Sequence, residues 1–202
     1  GTGLGFSISL HGTDQVSCVF LGDGAVEEGV FYESINFAAL KNLPVLYICE
    51  NNLYSVYSPL SVRQPAGRRI SELVRSIGVE SDSGDGNDVM EVHAKVSGAI
   101  RSVRAGDGPR FLEFATYRWR EHCGPNFDNE IGYRTEEEFL RWKERDPIVL
   151  FENAVKKGFV VPEVEIAEMD SVIEREVADA FRFAESSPFP SPSEIFTDLY
   201  GK

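Results

Sequence analysis

The stretch that most constrains the fold of this chain is residues 16–49. Val-Ser-Cys-Val-Phe-Leu at 16–21 is a short apolar run, suited to a strand buried on both faces of a parallel sheet. Gly22-Asp23-Gly24 follows at once, a turn signal in glycine and aspartate. From Gly29 to Lys41, apolar or small residues recur at Phe31, Ile35, Ala38 and Ala39, the stripe of a helix with one buried face. Glu27 and Glu28 suit its positive N-terminal end, and Asn42 with Pro44 ends it. Val45 to Cys49 is a second buried strand. Two strands joined by one helix run parallel with a right-handed crossover, which points to an α/β fold.

The rest of the chain extends that alternation. Residues 53–69 have no clear period and read as a loop; Ser71 to Ser76 is a short helix and Ile77 to Glu80 a short strand. Val89, Val92, Val96, Ile100 and Val103 form the inward stripe of a helix over 88–104, capped by Asn87 or Asp88. Phe111 to Tyr117 is another strand, and residues 118–134 form a long functional or mobile loop. Thr135 to Glu138 opens a helix as a capping box, and further helices are expected over 147–157 and 163–186. The tail, Ser186 to Phe196, is extended and proline-rich, suited to packing over a neighbour. The expected organisation is a parallel sheet flanked by helices over 1–134, with a C-terminal helical extension over 135–202.

Gly-Asp-Gly occurs three times, at 22–24, 84–86 and 106–108. The second copy leads into the N-cap of a helix and the third ends that helix, so both are punctuation. The first stands at the C-terminal end of a buried strand, where open parallel sheets bind ligands. Asn52 lies just past the end of the next strand, so one crossover brings a carboxylate and a carboxamide to the same sheet edge. Both offer hard oxygen atoms of the kind magnesium prefers, with phosphate oxygens and water completing its octahedron. The backbone N–H groups of Gly24 and Ala25, entering the helix, are placed to cradle a phosphate.

A formal net charge of −13 argues against a nucleic-acid partner, so any phosphate must be held by a local device such as a metal ion or a helix N-terminus. Cys18, Cys49 and Cys123 have neither zinc-like spacing nor the pattern of a disulfide framework. The first two fall in strand-like runs and read as buried thiols in a reducing compartment. No apolar run approaches the length of a membrane span. Gly1 to Gly5 reads like the middle of a small-residue helix, with an N-terminal portion expected elsewhere.

The run from Gly22 to Asn52, GDGAVEEGVFYESINFAALKNLPVLYICENN, resembles the thiamine diphosphate motif that extends from Gly-Asp-Gly to paired asparagines. With LYSVYSPLSVRQP, FLEFATYRWREH and GYRTEEEFLRWKERDP, the chain is similar along most of its length to the alpha subunit of the decarboxylating component of 2-oxo acid dehydrogenase complexes. Acetoin dehydrogenases are related. The resemblance implies a thiamine diphosphate-binding fold and a cofactor site of Gly22, Asp23, Gly24, Ala25, Asn52, Arg118 and His122. It implies Mg²⁺ held by Asp23, Asn52 and the backbone carbonyl of Tyr54, with His122 in a catalytic position facing the active-site channel.

It further implies oxidative decarboxylation of a 2-oxo acid with acyl transfer to a lipoyl-bearing acyltransferase component. The assembly would hold two alpha and two beta chains, the beta subunit supplying the carboxylate that activates the cofactor. A cytoplasmic setting is the matching expectation. Cys123 stands where regulated relatives carry a phosphorylatable serine, which speaks against that control here. Other readings stay open at this point. Arg118 serves the diphosphate or a structural ion pair. His122 is catalytic or a loop histidine without a task. The protein is an enzyme subunit of this kind, an acetoin dehydrogenase subunit, or a non-catalytic assembly partner. His11 and His93 read as turn and packing residues, and Trp119 with Trp142 as core or interface anchors. A Rossmann nucleotide site is disfavoured because the first strand–helix turn lacks G-x-G-x-x-G.

Overall fold

Four parallel strands organise the first part of the chain. A computed structural model describes residues 1–158 and 162–197. In chain order the elements are α1 (Thr2–His11), β1 (Ser17–Gly22), a three-ten turn at Asp23–Glu27, α2 (Gly29–Leu40) and β2 (Val45–Asn51). A two-stranded ribbon of β3 (Tyr54–Ser55) and β4 (Ser58–Pro59) follows, then α3 (Leu60–Arg63), α4 (Ile70–Ile77) and β5 (Glu80–Asp85). After these come α5 (Val89–Arg104), β6 (Arg110–Ala115), α6 (Glu136–Lys143), α7 (Pro147–Gly158) and α8 (Glu163–Ser186). The sheet order is β1-β2-β6-β5, every neighbouring pair parallel.

Alternation along β2 and β6 divides the core between the two faces. Val45, Tyr47, Cys49 and Phe111 pack with Phe31, Ile35 and Ala38 of α2 and Ile70 and Val74 of α4. Leu46, Ile48, Leu112 and Phe114 pack with Ala99, Val92, Val96 and Ile100 of α5. Helices on both faces are what a parallel sheet requires. Burial of side chains the size of Ile35 or Phe111, both 0% exposed, stabilises by about 1.5–3 kcal/mol each.

β1 departs from expectation. It is an edge strand covered on one face only: Val19 and Leu21 meet the α2 side, while Cys18 and Phe20 are exposed. Phe20 lines an open groove with Ile48, Val92, Val96 and Phe114. An apolar run says that a strand is sticky, not which of its faces a helix covers. Cys49, by contrast, is the buried thiol expected; burial first, then the carboxylates of Glu113 and Asp23, pushes its pKa up and keeps it protonated.

Other differences are local. The strand expected at 77–80 lies at Glu80–Asp85 instead. Its sequence, Glu-Ser-Asp-Ser-Gly-Asp, has little strand propensity; pairing with β6 and a bond from the buried Ser81 hydroxyl to the Ser71 carbonyl, 2.5 Å, hold it. The second Gly-Asp-Gly closes this strand, with Asp85 accepting from the Asn87 amide at 3.0 Å. The third carries Gly106 and Gly108 at φ +88° and +87°, left-handed positions that glycine occupies readily. Asp88 caps α5 by accepting from the amides of Met90 and Glu91. Thr135 caps α6, but Glu138 does not complete the capping box, because both its carboxylate oxygens accept from the Tyr54 hydroxyl at 2.9 Å.

The first compact unit runs from Gly1 to Asn153; the Tyr54–Glu138 bond and the Phe127–Phe139 ring contact tie α6 to it. The second unit, Ala154–Lys202, contains α8 and a three-ten turn at Pro192–Phe196. That turn carries a capping box of Ser191 and Glu194 within the expected extended tail. Residues 198–202 of the tail lie outside the described residues. Among the described residues no helix is long and apolar enough to cross a membrane.

Candidate functional site

Parallel register places the first two site segments side by side. Gly22 pairs with Glu50, so the chain leaves β1 at Asp23 and leaves β2 at Asn52 along the same rim. β6 pairs in parallel with β2, Ala115 opposite Asn51, and so delivers residues 116–134 to that rim as well. Asp23 and Asn52, brought together in the sequence by one crossover, are neighbours in the fold.

Asp23 is 0% exposed. Its Oδ2 pairs with the Arg63 guanidinium, while its Oδ1 is buried without a hydrogen-bond partner. A buried carboxylate oxygen left unserved is costly, and a native fold keeps one for a reason. Gly24 follows because of close approach: a Cβ there would stand 2.7 Å from Ser55 Oγ and 2.9 Å from Ser55 Cβ. The ribbon that carries Tyr54 and Ser55 therefore lies directly against the Gly22–Ala25 turn. Glu27 does more than complement a helix end. Its Oε1 accepts from Arg63 Nη1 at 2.6 Å and from Gln64 Nε2 at 3.1 Å.

The paired asparagines divide their roles. Asn51 is structural: its Nδ2 donates to Glu113 on β6 at 2.8 Å, and the other Glu113 oxygen accepts from the Ser71 amide at 3.0 Å. Asn52 Oδ1 accepts from the Tyr54 amide at 3.0 Å, an Asx turn that leaves a second lone pair on that oxygen. The loop is strained, with Leu53 at φ +70° and Val56 at +55°, a region that side-chain-bearing residues rarely adopt. The Tyr54 phenol is pushed up in pKa by burial and by its bond to Glu138.

Arg118 reaches the same ribbon. Its Nη2 donates to the Val56 carbonyl at 2.9 Å and its Nη1 to the Arg120 carbonyl at 2.6 Å, with Asp128 at 3.6 Å. Arg118 thus has an ion-pair partner in Asp128, and its Nε is buried without a partner. The segment 118–134 folds around Asp128, which pairs with the fully buried Arg134 and accepts from the Tyr133 hydroxyl at 2.7 Å. Burial would raise the Asp128 carboxyl, but Tyr133, Arg134 and Arg118 outweigh it and hold it below the ordinary value. Tyr117 stacks on Trp142 with centroids 5.4 Å apart and meets Trp119 edge-on, so both tryptophans act as anchors. Its phenol is pushed up to about 12, chiefly by burial.

His122 is exposed and makes no hydrogen bond among the described residues. The fold brings Gly22, Asp23, Gly24, Ala25, Asn52, Tyr54 and Arg118 to one rim; His122 stands on the Arg118 loop, without a hydrogen bond to them among the described residues. Among the described residues no three His, Cys, Asp or Glu side chains cluster as a metal site. Sequence reading missed Arg63. Its only signal was a cation eleven residues beyond Asn52 in an aperiodic stretch.

Comparison with known proteins adds independent findings. Residues 1–193 match the family model described as "Dehydrogenase E1 component". The pyruvate dehydrogenase E1 component subunit alpha of Rickettsia felis is 36% identical over 200 residues, covering 99% of this chain and 60% of its own length. The subunit of the same name from Rhizobium meliloti is 38% identical over 200 residues, 98% of this chain and 56% of its own. The 2-oxoisovalerate dehydrogenase subunit alpha of Bacillus subtilis is 31% identical over 201 residues, 99% of this chain and 60% of its own. The chain thus spans about 60% of the length of these relatives.

Proposed function

Because this chain belongs to the dehydrogenase E1 component family, we propose that it serves as the alpha subunit of a thiamine diphosphate-dependent 2-oxo acid dehydrogenase. In this reading Mg²⁺ is held by Asp23, Asn52 and the Tyr54 carbonyl. The observation that carries it is the buried, unpartnered Oδ1 of Asp23 on the rim it shares with Asn52. A hard divalent cation suits such an oxygen and the neutral oxygens beside it, and accepts phosphate oxygens and water for its remaining positions. The residues present fit the group.

Bound thiamine diphosphate supplies the electron sink for decarboxylation. This chain's share is binding and orientation. Asp23 and Asn52 would hold the cation, the Gly24 and Ala25 amides would serve phosphate oxygens, and the strained Leu53–Val56 backbone sets the position of the Tyr54 carbonyl. Arg118 holds the loop after β6 against that backbone through Val56. His122, exposed and unpaired among the described residues, is free to meet substrate or an incoming lipoyl group. A beta subunit would supply the carboxylate that activates the cofactor, and a lipoyl-bearing acyltransferase component would accept the acyl group. Identity of 32–38% to the pyruvate-type subunits and 31% to the 2-oxoisovalerate one makes pyruvate the first substrate to assay.

The test is reconstitution with a beta subunit and measurement of thiamine diphosphate- and Mg²⁺-dependent decarboxylation of pyruvate and branched-chain 2-oxo acids, with carbon–carbon cleavage of acetoin, which has no carboxyl group to lose, assayed separately. Asp23→Ala with an unchanged circular dichroism spectrum is expected to abolish turnover. Full activity of that variant would remove the reading.

A further inference from the structure

Arg63 lies outside the expected ligands, yet it has the most specific contacts at the rim. Its guanidinium is gripped on three sides: Nη2 by Asp23 Oδ2, Nη1 by Glu27 Oε1 at 2.6 Å, and Nε by the Ser58 carbonyl at 3.0 Å. The side chain is 10% exposed. Gln64 takes the same Glu27 oxygen at 3.1 Å. Residues 63–64 at the end of α3 are therefore clasped to the turn after β1, and the segment so clasped carries Asn52 and Tyr54.

We propose that Arg63 is a positioning residue for the cation, fixing the Asp23 carboxylate so that Oδ2 is held by the guanidinium and Oδ1 alone is presented to metal. The inference rests on the reading of Asp23 as a metal ligand. Two geometric facts favour positioning over a guanidinium that merely stands in for the cation and leaves when it arrives. The contact on Asp23 is one-sided, leaving Oδ1 buried and unserved. The guanidinium also keeps two other partners, Glu27 and Ser58, which anchor it whether or not Asp23 is engaged. Charge agrees: Asp23, Glu27 and Arg63 sum to one negative charge, so the clasp still attracts a cation. Groups that orient a metal's carboxylate or imidazole ligands commonly govern affinity nearly as strongly as the ligands themselves.

The experiment measures Mn²⁺ binding to the full chain by the loss of the free-ion electron paramagnetic resonance signal, with thiamine diphosphate present, in wild type, Asp23→Asn, Arg63→Met and Arg63→Lys. Asp23→Asn is expected to abolish binding. Arg63→Met is expected to weaken it by about tenfold or more and to alter the bound-Mn²⁺ spectrum, which a merely structural change would leave alone. Lysine keeps the charge but gathers its three donors on one nitrogen instead of spreading them over a planar fork, so Arg63→Lys is expected to fall between wild type and Met; it also serves if the Met variant does not fold. Binding by folded Arg63→Met or Arg63→Lys as tight as wild type, or tighter, overturns the inference and leaves Asp23 as a ligand. Equal binding by wild type and Asp23→Asn overturns the metal reading itself.

Discussion

Two buried aspartate–arginine pairs lie along the same rim of the sheet, and they are built differently. At Asp128 both carboxylate oxygens are served, one by Arg134, the other by the Tyr133 hydroxyl with Arg118 nearby. At Asp23 only Oδ2 is served, by Arg63, and Oδ1 is buried with nothing to accept from. The first pair is finished within the chain and gives an otherwise aperiodic segment its interior. The second is left incomplete where the fold gathers further oxygen donors. Burial of a charged pair is therefore a poor sign of function by itself; the unserved atom carries the information.

The sharpest way to break this contrast is to cut each pair. Arg134→Met leaves a fully buried carboxylate short of its main partner and is expected to cost about 3–5 kcal/mol of unfolding free energy. Asp23→Asn removes the unserved charge while Arg63 keeps Glu27 and Ser58, so the expected cost is about 1 kcal/mol, that of one hydrogen bond. Urea denaturation of the two variants reads both. Losses of similar size would show that Asp23 is as structural as Asp128.

Ligand addition probes the other side. Mg²⁺ with thiamine diphosphate at a hundredfold above Kd is expected to stabilise wild type by about 2.7 kcal/mol, since only the native state binds. Asp23→Asn should show no such gain in thermal denaturation, and Arg134→Met, where folded, should retain it. Removing Mg²⁺ with a chelator should reverse the gain in wild type. Stabilisation that survives in Asp23→Asn would place the ligand elsewhere.

Tyr54 tests where the two regions join. Its ring meets Tyr133 edge-on at 5.3 Å, and its hydroxyl donates to Glu138. Tyr54→Phe removes only that hydroxyl and is expected to cost about 1.5 kcal/mol, the low end for a bond to a charged group that is partly exposed. The proposed metal contact is the backbone carbonyl, so Mn²⁺ affinity should not move. A tenfold loss of affinity would mean that the phenol–Glu138 bond sets the site's geometry.

How much of this was legible in the sequence depends on the range of the interaction. Asp23 and Asn52 were readable because a single crossover ties two strand ends together, and strand polarity then fixes the rim. The caps at Asp88 and Thr135 were readable because they close within three residues. Arg63 was not, because its partners lie 36 and 40 residues away with no periodicity between. β5 was missed because partners, not propensity, make it a strand, and the open face of β1 because apolar composition does not say which face is covered. The core of residues 118–134 rests on contacts between Asp128, Tyr133, Arg134 and Arg118 that no local pattern announces.

The smallest expected effect is that of acid on the finished pair. In the folded chain Asp128 is held below the ordinary carboxyl value, so the unfolded chain takes up a proton first as pH falls. Its contribution to stability is thus complete above the unfolded value of about 3.9 and is lost as pH drops through the folded one. Asp128→Asn, which cannot titrate, is expected to lower stability near neutral pH and to flatten the acid limb of stability against pH below about 4. Acid denaturation of wild type and variant side by side measures this. An acid limb of unchanged slope in Asp128→Asn would mean that Asp128 is as incompletely served as Asp23, and the contrast between the two pairs would then have to rest on the cation alone.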